Sequence, residues 1–297
     1  MQKHERVAIF ALVASSCMFA TGYLLTRAHD PQSGMGALIV QSLFAGAVTL
    51  TILVGRVNWK PPGEYKWHIL FNGICSPLIL YFVWTGAKVV TPALASIIVI
   101  SNVLMIALAS WALGRKKFNK AQAASLTLGF LGVVWISVER GALGGEGAGV
   151  VYLLIGAVLI ATTTVVMEVP VKVMGGASAT LLAMWSGFFV SLIFILATGG
   201  FEFYSLEQTG VAFTMGIVSI VLPVLFFNIG MNRIGAADAA AYKLLIPFFA
   251  LVYGVIFLGE IPGFSASIGG LAVVASVAAY QRTGNAKDGV LEKGRLL

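Results

Sequence analysis

Residues 236 to 247 read AADAAAYKLLIP, and the apolar run they open continues through FFALVYGVIFLG to Gly259. Lys243 is a lone ammonium in a stretch with the composition of a membrane helix. A charge near mid-depth there costs roughly 3 kcal/mol or more and is kept for a reason. Three arrangements account for it. The lysine pairs with a carboxylate, for which Glu168 is the leading candidate; its stem carries the head back toward an interface; or it faces a cavity and meets an anionic group, such as a carboxylate, of a bound molecule. Asn102 and Asn228 are polar within apolar runs and are expected to face protein rather than lipid. Tyr81, Trp84, Trp185 and Phe226 are candidates to stack a planar molecule or cradle a cation, an interfacial belt being the other place for such rings. Pro77, Pro223 and Pro247 each remove a donor from the interior of a helix and free a carbonyl.

Of the twelve acidic residues, only Glu168 and Asp238 can reach the membrane. Asp238 opens its segment, where a carboxylate gains about 0.3 to 1 kcal/mol from unpaired backbone amides. Glu168, followed by Val169 and Pro170, has no such reason to be there, and it is the candidate coupling group, binding a proton in one orientation and releasing it in the other. The two cysteines, Cys17 and Cys75, lie inside apolar segments, and His4, His29 and His68 lie at segment edges. They form no disulfide framework and no ligand cluster, and no nucleophile, base and orienter share a motif. No cofactor, no metal and no enzymatic activity is expected.

The elements that must hold these residues follow from composition. Of 297 residues 59% are hydrophobic and 10% charged, against about 25% charged in an ordinary soluble domain, and mean hydropathy is +0.94. The chain reads as an all-α polytopic membrane protein of ten transmembrane helices, near 7–25, 34–55, 67–86, 91–113, 121–138, 148–169, 178–199, 210–230, 235–258 and 264–281. With the N-terminus inside, fifteen of the nineteen basic residues fall at interior ends and three, Arg27, Lys88 and Arg140, outside. That bias puts both termini in the cytoplasm, in a bacterial inner membrane. The net charge of +7 then serves membrane lipid at the inner leaflet, and no nucleic-acid partner is expected.

Residues 89–116 lie on residues 234–261 without a gap. Asn102 then stands opposite Pro247, and Ile98 opposite Lys243. Five segments make one repeat, so an odd number forces the second copy to cross the membrane upside down. The first repeat is 1–141, the second, inverted one 142–283, and 284–297 is a cytoplasmic tail. Inverted repeats are a transporter architecture with the site near mid-membrane. On the ninth segment Ala236, Ala240, Lys243, Pro247, Ala250 and Gly254 share a face. The mirrored stripe is Thr91, Ala95, Ile98, Asn102, Met105 and Ala109. Stripes of small residues serve close helix packing or wall a cavity.

With its two five-helix halves, its ninth segment AADAAAYKLLIPFFALVYGVIFLGE and its closing GFSASIGGLAVVASVAAY, the chain resembles the EamA-type branch of the drug/metabolite transporter superfamily over about residues 7–281. Ala236, Ala237, Pro247, Gly259 and Glu260 carry the most specific part. The first half departs from the pattern, with Asn102 where a proline is common and Gly114-Arg115-Lys116 where Gly-Glu is common. The resemblance implies a secondary transporter moving a small metabolite or drug by alternating access. The charge of Lys243 points within that range to amino-acid-like or carboxylate-bearing cargo. The competing class is a non-transporting membrane scaffold, which has no need of a charge at mid-depth.

Overall fold

A computed structural model describes residues 3–28, 34–54, 63–89, 95, 98–139, 147–198, 205–258, 268–280 and 282, and among them there is no β-strand. Helices α1 (Lys3–Ala28), α2 (Met35–Val54) and α3 (Lys66–Val89) are followed by α4 (Ile98–Ala112) and α5 (Lys120–Glu139). Then come α6 (Gly147–Met174), α7 (Gly176–Ala197), α8 (Leu206–Ile234), α9 (running through Ala236–Ala241, Tyr242–Leu245 and Ile246–Leu258) and α10 (Ile268–Tyr280). Six of them, α2, α3 and α6 to α9, are long and apolar enough to cross a membrane, and α1, α4 and α10 contain shorter apolar stretches. At ~1.5 Å per residue, twenty residues reach the ~30 Å of a hydrocarbon core.

The halves interlock instead of sitting side by side. Helix α1 packs on α8 and α9, while α6 packs on α3 and α4; α2 meets α8 as α3 meets α7. Each pair becomes its partner when five is added to or taken from each helix number, the pattern a twofold relation between two five-helix units produces. Helices α2 with α7 and α4 with α9 pair with their own counterparts. The approach is close where glycine permits it: a Cβ on Gly216 of α8 would stand 2.2 Å from the Ser42 carbonyl of α2.

Two helices leave the α geometry, each directly ahead of a proline. In α8, Met215–Val221 is π-helical and Pro223 follows. In α9, Tyr242–Leu245 is a 3-10 turn and Pro247 follows. Proline has no N–H to offer the carbonyl four residues back, which here belongs to Lys243. The tighter turn resolves this, because the Ile246 N–H bonds the Lys243 carbonyl three residues earlier. Helix α1 supplies two further donors. Ser15 Oγ donates to the Pro223 carbonyl at 2.7 Å and Ser16 Oγ to the Tyr242 carbonyl at 2.9 Å.

Helix α6 runs longer than its sequence suggests. The expected end near 169, set by Pro170, is corrected to Met174, with Pro170 inside the helix. Prolines are tolerated where neighbouring groups satisfy the freed backbone, and the extra turn brings Lys172 within reach of Glu168. The expected start of α4 near 91 and that of α10 near 264 lie outside the described residues.

Candidate functional site

A cavity of about 270 Å3 opens between the two halves. Its wall is mostly apolar, with Lys243 of α9 and Asn102 of α4 as polar positions, Thr163 and Thr164 from α6, and Asn228 from α8. Its lining includes Met167, Met231 and Lys243, and along α3 it runs through Trp84 to Ala87.

Lys243 is 8% exposed. Its Nζ stands 4.1 Å from the centre of the Phe227 ring, and among the described residues no carboxylate lies within ion-pair distance of it. Of the three arrangements open to it, pairing with Glu168 does not form. Burial of an ammonium without a counter-ion is costly, and an aromatic face recovers only part of that, up to about 2 kcal/mol when desolvated. Asn102 is 2% exposed. Its Nδ2 donates to the Val99 carbonyl, and among the described residues its Oδ1 has no partner. Two further amides stand on the wall: Asn228, whose Nδ2 donates to Thr180 Oγ1 at 2.8 Å, and Asn72 of α3. Among the described residues the cavity therefore presents one cation, Lys243, in a mostly apolar wall that also carries the amides of Asn72, Asn102 and Asn228.

Four of the expected residues, Lys243, Asn102, Trp84 and Asn228, line the cavity. Four lie off its wall. Tyr81 is 43% exposed with its ring against Phe82, because the lining face of α3 runs through Ser76, Leu80, Val83, Trp84 and Ala87. Trp185 donates its indole N–H to Thr51 Oγ1 at 3.1 Å and stacks on Phe189. Pro247 is buried beside Ile246, which takes the wall position. Phe226 yields its place to Phe227. Phe226 is the counterpart of Tyr81 in the repeat, and both stand off the wall, whereas Val224 and Asn228, the counterparts of Ile79 and Val83, are on it. Sequence reading missed Phe227, Thr163 and Thr164, and the run Thr162-Thr163-Thr164 in an apolar helix was a usable signal.

Glu168 follows the wall residue Met167 and is not itself on the wall. It is 5% exposed. Its Oε1 accepts from Lys172 Nζ at 2.9 Å and from the Ala236 backbone N–H at 3.2 Å, while Oε2 faces Arg115 Nη1 at 3.3 Å. The carboxylate thus caps α9, whose entry at Gly235 has φ +87° and ψ 167°, a backbone region reserved for glycine. Asp238 is likewise engaged, Oδ2 with Lys116 Nζ at 2.7 Å and Oδ1 with the Tyr280 hydroxyl at 2.8 Å. Among the described residues no group of three His, Cys, Asp or Glu side chains could hold a metal.

The sequence pattern of the EamA-like transporter family matches this chain twice, over residues 6–138 and 147–280. An uncharacterised transporter of Archaeoglobus fulgidus is 25% identical over 76% of this chain and 81% of its own length. A probable terminal-alkyne amino-acid exporter of Streptantibioticus cattleyicolor is 22% identical over 93% of both chains. One crystal structure superposes with a TM-score of 0.74 at 17% identity, over 92% of this chain and 95% of that one. At that identity the likeness speaks to the fold alone.

Proposed function

The chain belongs to the EamA-like transporter family, and from that membership and the cavity we propose that it carries a small carboxylate-bearing metabolite across the membrane by alternating access. That it is a multi-pass membrane protein of a small-molecule transporter family is the premise; the cargo and the mechanism are the proposal. Lys243 is the observation that carries it. A buried ammonium with no counter-ion among the described residues, on the wall of a cavity, recovers its lost hydration when an anionic group arrives. Asn102 Oδ1 would accept from a donor on the same molecule.

A volume of about 270 Å3 lies near the lower end of ligand pockets, which start at roughly 300 Å3. Such a space suits an amino-acid-sized molecule better than a nucleotide sugar. The 22%-identical relative whose name gives an amino-acid exporter supports the same class. The remaining architecture goes with this reading: ten spans in two inverted repeats, both termini in the cytoplasm of a bacterial inner membrane. A reporter fused after Leu297 or near Lys60 should then score cytoplasmic and one near Glu146 external.

The site can be tested before its cargo is identified. A panel of amino acids, monocarboxylates and cationic amines is screened for compounds that raise the melting temperature of the detergent-purified protein, since a ligand that binds only the folded state stabilises it. A carboxylate should stabilise the native chain and leave Lys243→Ala unmoved. Lys243→Arg should keep part of the response. Stabilisation by cationic amines alone, or an equal response from the alanine variant, would overturn the proposal.

A further inference from the structure

All three ion pairs among the described residues lie at one end of the cavity. Two of them join the halves. The turn after α4 is folded back by the N–H groups of Arg115 and Lys116, which both donate to the Ser110 carbonyl, at 2.9 and 3.2 Å, and Gly114 supplies the positive φ of +66° that the turn requires. This sets two adjacent cations toward different helices. Arg115 Nη1 reaches α6, donating to the Val165 carbonyl at 2.7 Å and to Glu168 Oε2 at 3.3 Å. Lys116 reaches Asp238 of α9, which is tied through Tyr280 to α10.

We propose that this turn is a gate: Arg115 and Lys116 form a double bolt that holds the cavity shut at their end, and the cavity opens there only when both catches, Glu168 and Asp238, are released. The placement is what carries the inference. Met167 is on the cavity wall, and its neighbour Glu168 is on the latch. Lys243 is on the wall, and Asp238, five residues earlier on α9, is on the latch. Neither carboxylate touches the cavity, so neither can bind cargo as the closed structure stands. Both hold the helices that carry wall residues. They are positioning residues, and the first catch does double service because the same carboxylate caps α9. A helix that swings away from α4 must give up its bond to the turn, and the bonds cross only between halves, where an alternating motion has to occur.

The experiment reads which face of the membrane the cavity communicates with, and it needs no cargo. A single cysteine is placed at Thr164, on the cavity wall, in a chain with Cys17→Ser and Cys75→Ser. In oriented vesicles a membrane-impermeant maleimide is applied to one face at a time. With the latch intact, labelling should come from the face opposite Arg115. Arg115→Gln with Lys116→Gln should raise the labelling rate from the Arg115 face at least tenfold. Exchanging the charges, as Arg115→Glu with Glu168→Arg and Lys116→Asp with Asp238→Lys, should restore the closed pattern.

Labelling from the opposite face reports insertion and folding within the same sample. If the neutral pair fails to insert, Lys116→Gln alone carries the reading with a smaller rise, its ion pair being partly exposed at both partners. A cavity cysteine that stays closed to the Arg115 face in an inserted variant, with only the melting temperature lowered, would reduce the cluster to a structural tie and overturn the gate. The carboxylate-cargo reading would survive that outcome, since it stands on ligand stabilisation through Lys243.

Discussion

Lys243 and Glu168 are both nearly inaccessible, at 8% and 5% exposure, yet their surroundings differ in kind. Glu168 has two cations and a backbone N–H on its two oxygens, whereas Lys243 has the face of one phenyl ring. A buried charge with a full set of partners resists being disturbed. One with spare bonding capacity gains when an anionic partner arrives. The contrast sets a region that keeps its shape against the region proposed to recognise cargo, and it can be broken from either side.

The largest expected effect is on the satisfied charge. Glu168→Ala takes the acceptor from Lys172 and from the Ala236 N–H and leaves Arg115 only the Val165 carbonyl, and the loss of charge-assisted hydrogen bonds at a buried site costs about 2 kcal/mol or more. Because Arg115 and Lys172 are 34% and 47% exposed and can turn to water, the cost should fall short of the 3 to 5 kcal/mol of a fully buried pair. A melting-temperature drop of several degrees in detergent is the readout. Glu168→Gln separates the latch from the coupling role: in proteoliposomes with a pH gradient, loss of gradient-driven accumulation while exchange persists would support a proton on Glu168. Undiminished accumulation would remove that role.

Gly235→Ala should be next in size and touches no charge. Its φ of +87° with ψ 167° is strained for any residue with a Cβ, costing about 1 to 3 kcal/mol. The added carbon would also meet Glu168 Oε1 at 3.1 Å. A stability loss comparable with that of Glu168→Ala would show that the cap on α9 depends on backbone geometry as much as on charge.

Lys243→Met should behave in the opposite way. Removing an unpaired buried cation and keeping its volume is expected to leave stability unchanged or raise it by about 1 kcal/mol, while ligand stabilisation disappears. A destabilised methionine variant would mean that the ammonium holds a structural partner, and the comparison with Glu168 would fail.

Much of the frame was legible in the sequence for a physical reason. Long apolar runs must be helices in a bilayer, and Asn102 and Lys243, the polar residues that the sequence singles out in the fourth and ninth segments, both line the cavity. What escaped was phase and partnership. The repeat selects Phe226 as the counterpart of Tyr81, and because Tyr81 faces away from the cavity its mirror does too, leaving the wall to Phe227. The partners of Arg115 and Lys116 are 53 and 122 positions away. A basic turn looks the same in sequence whether it faces lipid headgroups or bolts two halves together.

The smallest expected effect belongs to Phe227, and it tests how the readiness of Lys243 is arranged. If the ammonium stays over the ring when it meets an anion, the cation–π attraction is present in both the empty and the occupied cavity and cancels from affinity. Phe227→Leu should then lower stability by about 1 kcal/mol and weaken ligand binding less than tenfold, through looser placement of the lysine head alone. Titration of the best stabilising carboxylate from the screen, by calorimetry on the leucine variant and the native chain, measures the ratio directly. A tighter complex in the variant would show that cargo must pull Lys243 off the ring. Abolished binding would show that the ring itself holds cargo by stacking, and the recognition assigned to charge would then be shared with an aromatic face.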